Sequence, residues 1–322
     1  MVASQYYRGF AVSVAWTLVL LTLGSVVHAT ESSLACPDWP TCFGTMMPLM
    51  EGGIFWEHLH RLVAGGLILI FAAATFIAWR DGAEKRSVVR AALAGVALLL
   101  VQAVFGGLTV IYQLPDAVST THLTLAFSFL SLAVVLATVT SPRRTAHGPL
   151  GADVRAILRR WGLLAAGLVG LQSIIGAWVR HSDSGMACPD FPTCLGSWVP
   201  PLDNHFVAVQ FTHRVMGVVA ALAVLTLMAK LLRSTAAPHV RRAALGAGAL
   251  VLTQFTLGVV SVFTILAVVP VSLHTLGAAA LLSVLVLLTT WGFMGSATAA
   301  TADMGASPHE SARALQTLRS SY

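Results

Sequence analysis

Residues 35–44 read ACPDWPTCFG and residues 187–196 read ACPDFPTCLG, so eight of ten positions are identical at an offset of 152. The same offset relates QAVFGGLTV at 102–110 to QFTLGVVSV at 254–262. Self-similarity at a fixed spacing indicates that one structural unit occurs twice. The fold is therefore predicted from that unit and its repetition.

The composition of the chain is that of an integral membrane protein. Of its 322 residues, 57% are apolar and 10% are charged, whereas a soluble domain has about 25% charged residues. Eight apolar stretches approach the ~20 residues that a membrane-spanning helix needs: 9–29, 58–79, 89–112, 117–140, 160–179, 206–229, 243–265 and 268–294. The alternation typical of a membrane barrel is absent, so we predict an all-α protein with eight transmembrane helices.

The positive charges predict the orientation. A net charge of +6 could suggest nucleic acid, but no basic patch interleaved with aromatic residues occurs. The cations instead follow spans 2, 4 and 6, as topology signals do: Arg80, Lys85, Arg86, Arg90, Arg143, Arg144, Arg155, Arg159, Arg160, Lys230, Arg233, Arg241 and Arg242. The opposite loops contain Arg180 alone. Both termini are therefore predicted to be cytoplasmic, in a multi-pass protein of the cell membrane.

The repeat divides the chain into two four-helix halves, 1–147 and 148–300, followed by a tail at 301–322. Because four is even, both halves enter the membrane in the same sense, which predicts a parallel repeat about an axis along the membrane normal. The small, polar tail is predicted to be a disordered cytoplasmic end. The first apolar run could also be a cleaved signal peptide. Its counterpart in span 5 favours its retention.

All four cysteines lie in the two loops that are predicted to face outward. Cys36 is close to Cys42, and Cys188 is equally close to Cys194. In an oxidising compartment each close pair can form a disulfide. Four unrelated reduced thiols are the alternative, which the duplicated spacing disfavours.

Four histidines occupy equivalent depths in the even-numbered spans, near their outer ends: His60, His122, His213 and His274. A single ionisable residue in a span is often a packing residue, but a duplicated set favours a functional site. Two imidazoles that face each other in a helix bundle suit axial ligation of haem iron. We predict the pairs His60 with His122 and His213 with His274. A zinc site would require three or four ligands in each half.

Three neighbours of these histidines, Arg61, Arg214 and His58, each have two alternative roles. Arg61 and Arg214 follow their histidines directly and would either extend to the membrane interface or bind haem propionates. His58 is two residues from His60, so its ring points to another side of the helix. Its counterpart is Phe211, which cannot bind a metal. His58 is therefore assigned to packing or to a secondary role.

Glu57 distinguishes the first half from the second. It lies three residues before His60 and shares its helix face. A carboxyl group beside a bound macrocycle can accept and return protons. Gln210 stands at the corresponding position and retains hydrogen bonding without that proton chemistry. The first half is therefore predicted to be catalytic and the second to be a stable cofactor site. The alternative is an interfacial carboxylate with no part in a reaction.

Taken together, the CPDWPTC and CPDFPTC loops, EHLHR, FTHR and the two later span histidines resemble the haem A synthase family over all eight spans. The resemblance implies a membrane oxidoreductase that converts a methyl substituent of haem O to a formyl group by successive hydroxylations. The product, haem A, serves terminal oxidases. The resemblance implies that haem O binds in the first half, between His60 and His122, with Glu57 near the reacting edge. It implies haem b on His213 and His274 in the second half.

The resemblance also has implications for the cysteines and for partners. It implicates Cys36 and Cys42 in activity or haem transfer, and it makes Cys188 and Cys194 structural. Haem O synthase, factors of terminal oxidase assembly and an electron acceptor or donor are the expected partners. Small residues on the helix faces would also permit a homo-oligomer.

Two positions depart from the family pattern. His28 stands where an arginine is expected, as at Arg180 in the second half, and Ser33 stands where the second half has Gly185. These changes could alter haem contacts or the loop turn.

Two other functions are compatible with the same residues. A dihaem b-type electron-transfer protein would hold two permanent haems and carry out no substrate chemistry. A haem carrier that uses the outer cysteines would bind haem without changing it.

Overall fold

The computed structural model describes residues 2–82, 86–142 and 150–294. Eight helical stretches within these ranges are long and apolar enough to cross a membrane, which confirms the predicted multi-span helical protein. The helices are α1 (Val2–Ala29), α2 (Gly52–Arg80), α3 (Arg86–Ile111), α4 (Asp116–Thr140), α5 (Ala152–Ile157), α6 (Leu163–His181), α7 (His205–Leu232), α8 (Pro238–Phe263) and α9 (Val268–Phe293). The cations Lys85, Arg143 and Arg144, the boundary between 147 and 148, and the tail at 301–322 lie outside the described residues.

The fifth span is composite. It begins at Ala152, earlier than the predicted residue 160, and runs through α5, a π-helical turn at Leu158–Gly162, and α6. Arg159 lies in this turn and its Nε donates a hydrogen bond to the Gly292 carbonyl at 2.7 Å. The turn thus joins the start of the second half to the end of α9.

Each half is a four-helix unit. In the first half α1 packs on α2 and α4, while α3 packs on α2 and α4. In the second half α6 packs on α7 and α9, and α8 packs on α7 and α9. The halves meet where α1 contacts α9, α4 contacts α6, and α4 contacts α9. The equivalent helices are α1 and α6, and α4 and α9. If each is replaced by its equivalent, the α1–α9 contact becomes the α4–α6 contact, and the α4–α9 contact is unchanged.

The described residues form two main apolar cores, one within the first half and one that extends from the second half into α1 and α4 of the first. The first contains Phe10, Phe71 and Phe129, and the ring of Phe71 contacts the other two. The second contains Leu227, Leu231, Leu285 and Leu288, which are almost completely buried. Large apolar residues such as Leu69 and Leu222 remain exposed, with 73% and 60% of their surface accessible. Since lipid is as apolar as these side chains, packing rather than exclusion from water holds the bundle together.

Candidate functional site

The four predicted histidines lie at matched positions on matched helices. His60 comes eight residues after the start of α2, and His213 comes eight after the start of α7. His122 and His274 each come six residues after the start of α4 and α9. In each half the two helices that carry the histidines lie across the four-helix unit from each other, and both pack on the same two neighbours. The structure therefore places His60 with His122 in one unit, and His213 with His274 in the other.

Each histidine faces a glycine on the preceding helix. A Cβ atom placed on that glycine would lie close to Cε1 of the ring: 3.0 Å for Gly24 and His60, 3.0 Å for Gly106 and His122, 2.9 Å for Gly176 and His213, and 3.4 Å for Gly258 and His274. Ordinary van der Waals contact for a Cβ begins at about 3.4 Å, so at three of the four positions a methyl group would require the ring to shift. The glycines set how closely each ring lies against its neighbouring helix.

The ring nitrogens test whether these residues fit an iron-bearing macrocycle. His122 Nδ1 lies 3.0 Å from the Gln102 carbonyl and must donate to it, so Nε2 carries the free lone pair that metal ligation requires. His60 Nδ1 is buried and has no hydrogen-bond partner among the described residues. Buried imidazoles with a nitrogen left free for a metal suit haem, so the first pair fits an axially ligated group.

In the second half glutamine amides support the histidines. Gln172 Nε2 lies 3.0 Å from His213 Nδ1 and donates to the His213 carbonyl, also at 3.0 Å. Gln254, with its amide nitrogen turned toward His274, donates to the His274 carbonyl at 2.9 Å and approaches Nδ1 at 3.2 Å. Such neighbours orient a ligand ring. The second pair is thus the more firmly supported of the two.

Both predicted disulfides are present. Cys36 bonds to Cys42 and Cys188 bonds to Cys194. All four sulfurs are buried, since none of these residues is more than 1% exposed. Each disulfide closes the short loop that the repeated motif encodes.

An aspartate organises each of these loops from within. The Asp190 carboxylate accepts hydrogen bonds from the Thr193 hydroxyl at 2.5 Å and from the Leu195 and Gly196 amides at 2.7 and 2.9 Å. These donors, the threonine hydroxyl first, lower the pKa of Asp190 from its usual 3.8 to about 2. Gly196 has a φ of 75°, a conformation that glycine adopts without strain.

The first loop repeats this arrangement. The Asp38 carboxylate accepts from the Thr41 hydroxyl and from the Phe43 and Gly44 amides. The pKa of Asp38 is lowered for the same reason, with the Thr41 hydrogen bond as the largest cause. The backbone carbonyls of Thr41 and Thr193 also accept hydrogen bonds from arginines on the helices that follow the loops.

Arg61 and Arg214 hold the loops onto the helices. Arg61 Nη1 donates to the Asp38 and Thr41 carbonyls at 2.7 and 2.5 Å. Arg214 donates to the Asp190, Thr193 and Cys188 carbonyls at 2.6–2.8 Å. The residue after each predicted ligand histidine therefore fixes a disulfide loop beside the histidine pair. Binding of haem propionates by these arginines stays a prediction.

Glu57 is buried and takes part in the same network. Its Oε1 forms an ion pair with Arg61 at 2.6 Å, and its Oε2 accepts the Cys36 amide at 2.8 Å. Both oxygens are thus engaged, so proton uptake by Glu57 would compete with these two contacts. Gln210 donates to the Gly185 carbonyl at 3.1 Å, and its Oε1 has no hydrogen-bond partner among the described residues. Only the first half has a carboxylate at this position.

His58 lies against the first disulfide. One of its ring nitrogens and both sulfurs of Cys36 and Cys42 lie within 4.8 Å of one another. Its Nε2 lies 3.0 Å from the Met46 carbonyl, and its Nδ1 has no described partner. Because both sulfurs are in a disulfide, they provide no thiolate for a metal ion. Phe211 packs against the second disulfide in the equivalent position.

The two halves also meet through polar residues at the ends of α1 and α6. The rings of His28 and His181 stack with centroids 5.2 Å apart. Thr120 Oγ1 lies 3.3 Å from His181 Nδ1, and Arg180 donates to the Ser25 carbonyl at 2.8 Å. His28 and its counterpart Arg180 therefore both lie at the boundary between the halves.

Sequence reasoning missed several of these residues. Gly24 and Gly176 were not singled out, although their spacing of 152 was visible in the sequence. Asp38 and Asp190 lie inside the repeated motif, but their role depends on the folded loop. Gln172 has no equivalent glutamine in the first half, so the repeat gave no signal for it.

The fold and the site define a multi-span helical membrane protein with two histidine pairs, each beside a disulfide loop. Residues 50–286 match the family model described as cytochrome oxidase assembly protein, COX15-CtaA. The chain belongs to this family, as the sequence motifs predicted.

Individual relatives agree with that assignment. The heme A synthase of Symbiobacterium thermophilum is 31% identical over 278 residues, which cover 82% of this chain and 89% of that protein. The heme A synthase of Halalkalibacterium halodurans is 30% identical over 203 residues, 62% of this chain and 67% of that protein. The heme A synthase of Shewanella oneidensis is 28% identical over 221 residues, which cover 62% of this chain and 64% of that protein.

Proposed function

We propose that this protein is a haem A synthase that oxidises the methyl substituent of haem O to a formyl group. The family and the names of its relatives support haem A synthesis. The observation that carries the chemical proposal is the asymmetry of the repeat: two equivalent histidine pairs, of which one alone has a buried carboxylate.

The first half is proposed to bind the substrate. His60 and His122 would hold the iron of haem O, which the free lone pair of His122 Nε2 supports. His213 and His274 would hold haem b, and the amides of Gln172 and Gln254 support their orientation. A bound haem b supplies one-electron redox chemistry.

Oxidation of a methyl group to a formyl group removes four electrons. With the oxygen written as water, R–CH₃ and H₂O give R–CHO, four protons and four electrons, in two successive two-electron steps. The electrons pass to an acceptor outside this chain. Glu57 is proposed to accept protons after it releases the Cys36 amide or Arg61, and Arg61 would then stay bound to the loop carbonyls.

The same proposal includes the placement of the protein. The halves would be related by an axis along the membrane normal, which the exchange of the α1–α9 and α4–α6 contacts supports. The disulfide loops would face the outside of the cell membrane. The cations after spans 2, 4 and 6 and the oxidised cysteines support this orientation.

Pigment analysis of the purified full chain tests the proposal. The protein is produced with and without a supply of haem O, and its extracted haems are separated by chromatography. We expect haem B in both preparations and haem A only when haem O is supplied. The Glu57→Gln variant should then contain haem B and unconverted haem O.

Two results would contradict the proposal and identify an alternative. Two equivalents of haem B per chain, with no haem A under either condition, would indicate a dihaem electron-transfer protein. Haem O bound and recovered unchanged by the unmodified protein would indicate a carrier.

A further inference from the structure

A basic cavity lies at the end of the bundle opposite the disulfide loops. It has a volume of about 470 Å³ and is lined by Arg160, Trp161, Lys230, Arg233 and Ser234, among others. The first two residues belong to the π-helical turn, and Lys230 belongs to the last turn of α7. None of the histidines, cysteines or loop residues of the proposed haem sites lines it.

The π-helical turn gives two adjacent arginines different roles. Arg159 turns toward α9, where it donates to the Gly292 carbonyl and its guanidinium lies 5.3 Å from the centre of the Phe293 ring. Arg160 remains exposed at the cavity. Single π-helical turns occur frequently at functional sites. The widened turn therefore leaves one guanidinium free for a ligand.

The charges of the cavity are not neutralised within the described residues. The ion pair between Arg61 and Glu57 is the only one found in residues 2–82, 86–142 and 150–294. Arg160, Lys230 and Arg233 are all exposed, and no described carboxylate lines the cavity. The Ser234 hydroxyl donates to the Leu231 carbonyl, so the three adjacent cations are the groups that suit a phosphate.

The surroundings indicate a lipid as the source of that phosphate. Trp161 has an amphipathic ring of the kind typical of the membrane interface. The centre of this ring lies 4.8 Å from Lys230 Nζ. Leu163 and Leu164 follow on the same span and are 53% and 46% exposed. An acyl chain could lie on these leucines while its headgroup enters the cavity. Basic pockets between spans bind acidic headgroups in this way.

We propose that the basic cavity binds the phosphate of an anionic glycerophospholipid from the adjacent leaflet. The test is native mass spectrometry of the purified full chain. It is titrated separately with dioleoyl phosphatidylglycerol, dioleoyl phosphatidylcholine and inorganic phosphate. We expect one phosphatidylglycerol per chain, bound about tenfold or more tightly than phosphatidylcholine. Inorganic phosphate at the same concentration should not displace it.

Matched variants locate the site. Arg160→Gln with Arg233→Gln should weaken phosphatidylglycerol binding about tenfold or more. Arg241→Gln with Arg242→Gln removes the same charge from exposed positions at the same end of the bundle and should change it less than about twofold. If the first variant does not fold, Lys230→Gln alone should weaken binding about threefold or more.

Three results would overturn the lipid site. Equal binding of the two phospholipids would remove the charge selectivity. Equal loss of binding in the cavity variant and the control variant would show that binding depends on the net charge of the protein and not on the cavity. Displacement by inorganic phosphate at equal concentration would indicate a site for the free anion.

Discussion

At the scale of single residues, the exchange of glutamate for glutamine separates the two halves. Glu57 and Gln210 both contact the backbone of the outer segment, Glu57 through the Cys36 amide and Gln210 through the Gly185 carbonyl. Arg214 holds its loop through backbone carbonyls, and no carboxylate among the described residues forms an ion pair with it. The loop can therefore be anchored without a buried acid, and the acid in the first half calls for a chemical explanation.

The Glu57→Gln variant tests that explanation. Removal of a buried partner charge usually costs about 3–5 kcal/mol. Because Arg61 retains its loop carbonyls, as Arg214 does, we expect a smaller loss of about 1–2 kcal/mol in the free energy of unfolding. Haem A production should fall about 100-fold or more if Glu57 accepts protons. The measurements are haem A per mole of folded protein and the thermal midpoint.

The reciprocal variant, Gln210→Glu, is the control. It adds a buried carboxylate at the equivalent position and should leave haem A production within about threefold, because the proposed substrate site lies in the first half. Normal haem A output from folded Glu57→Gln protein would contradict proton transfer by Glu57 and would leave it only the structural role of anchoring the loop.

The glycines that face the histidines give a second prediction. A methyl group at Gly176 would lie 2.9 Å from His213 Cε1 and would displace the ring. Gly176→Ala should therefore reduce the haem b retained after purification to less than about half, since displacement of a ligand or its support lowers affinity about 10–100-fold.

Gly167 provides a matched control on the same helix. A Cβ there would meet no atom within 4 Å. Gly167→Ala should retain haem and gain at most about 1 kcal/mol from its better helix propensity. The readout is the absorbance ratio of haem to protein. Equal haem content in both variants would contradict a role for close approach at Gly176.

At the scale of elements, each disulfide loop is a unit built around one carboxylate. The Asp190 pKa is about 2 in the folded loop, against 3.8 ordinarily. A group whose folded pKa is lowered stabilises the fold fully above its unfolded pKa, and this stabilisation is lost as pH falls through the folded pKa. The loop should therefore keep its full stability down to about pH 4 and lose the aspartate contribution between about pH 4 and pH 2.

The rate at which a phosphine reduces the buried Cys188–Cys194 bond measures loop opening. Asp190→Asn should react faster than the unmodified protein at pH 7, about threefold or more, because the charged acceptor is gone. The ratio of the two rates should approach one as pH falls below about 2, where Asp190 becomes protonated and both residues are neutral. A ratio that does not change with pH would contradict stabilisation by the ionised carboxylate.

The sequence predicted the elements because membrane helices must satisfy their backbone internally and must be long enough to cross the lipid. The bounds of span 5 were less accurate. Arg155, Arg159 and Arg160 resemble a polar linker in a hydropathy window, but α5 and the π-helical turn place them on a helix packed against α9. Tertiary contacts, which hydropathy does not include, extended this helix.

The site was predictable to the level of residue type and position in the repeat. Four equivalent histidines and two cysteine pairs followed from spacing alone. The hydrogen bonds from Arg61 to the Asp38 and Thr41 carbonyls could not be predicted from spacing, because they depend on the path of the disulfide loop back to the helix. The contact of His58 with the disulfide was hidden for the same reason.

At the scale of the whole molecule, duplication followed by divergence predicts that the two histidine pairs act independently. The pairs belong to different four-helix units, and each histidine packs against a glycine of its own unit. His213→Ala should therefore abolish most of the haem b retained by the purified protein, while His60→Ala should retain it and produce no haem A. Both variants leave the glycine-lined helices and both loops unchanged. Haem content by absorbance and product by chromatography give the two readouts. If each variant instead lost half of two identical haems, the halves would be equivalent electron carriers, and the division of labour between substrate and cofactor sites would be wrong.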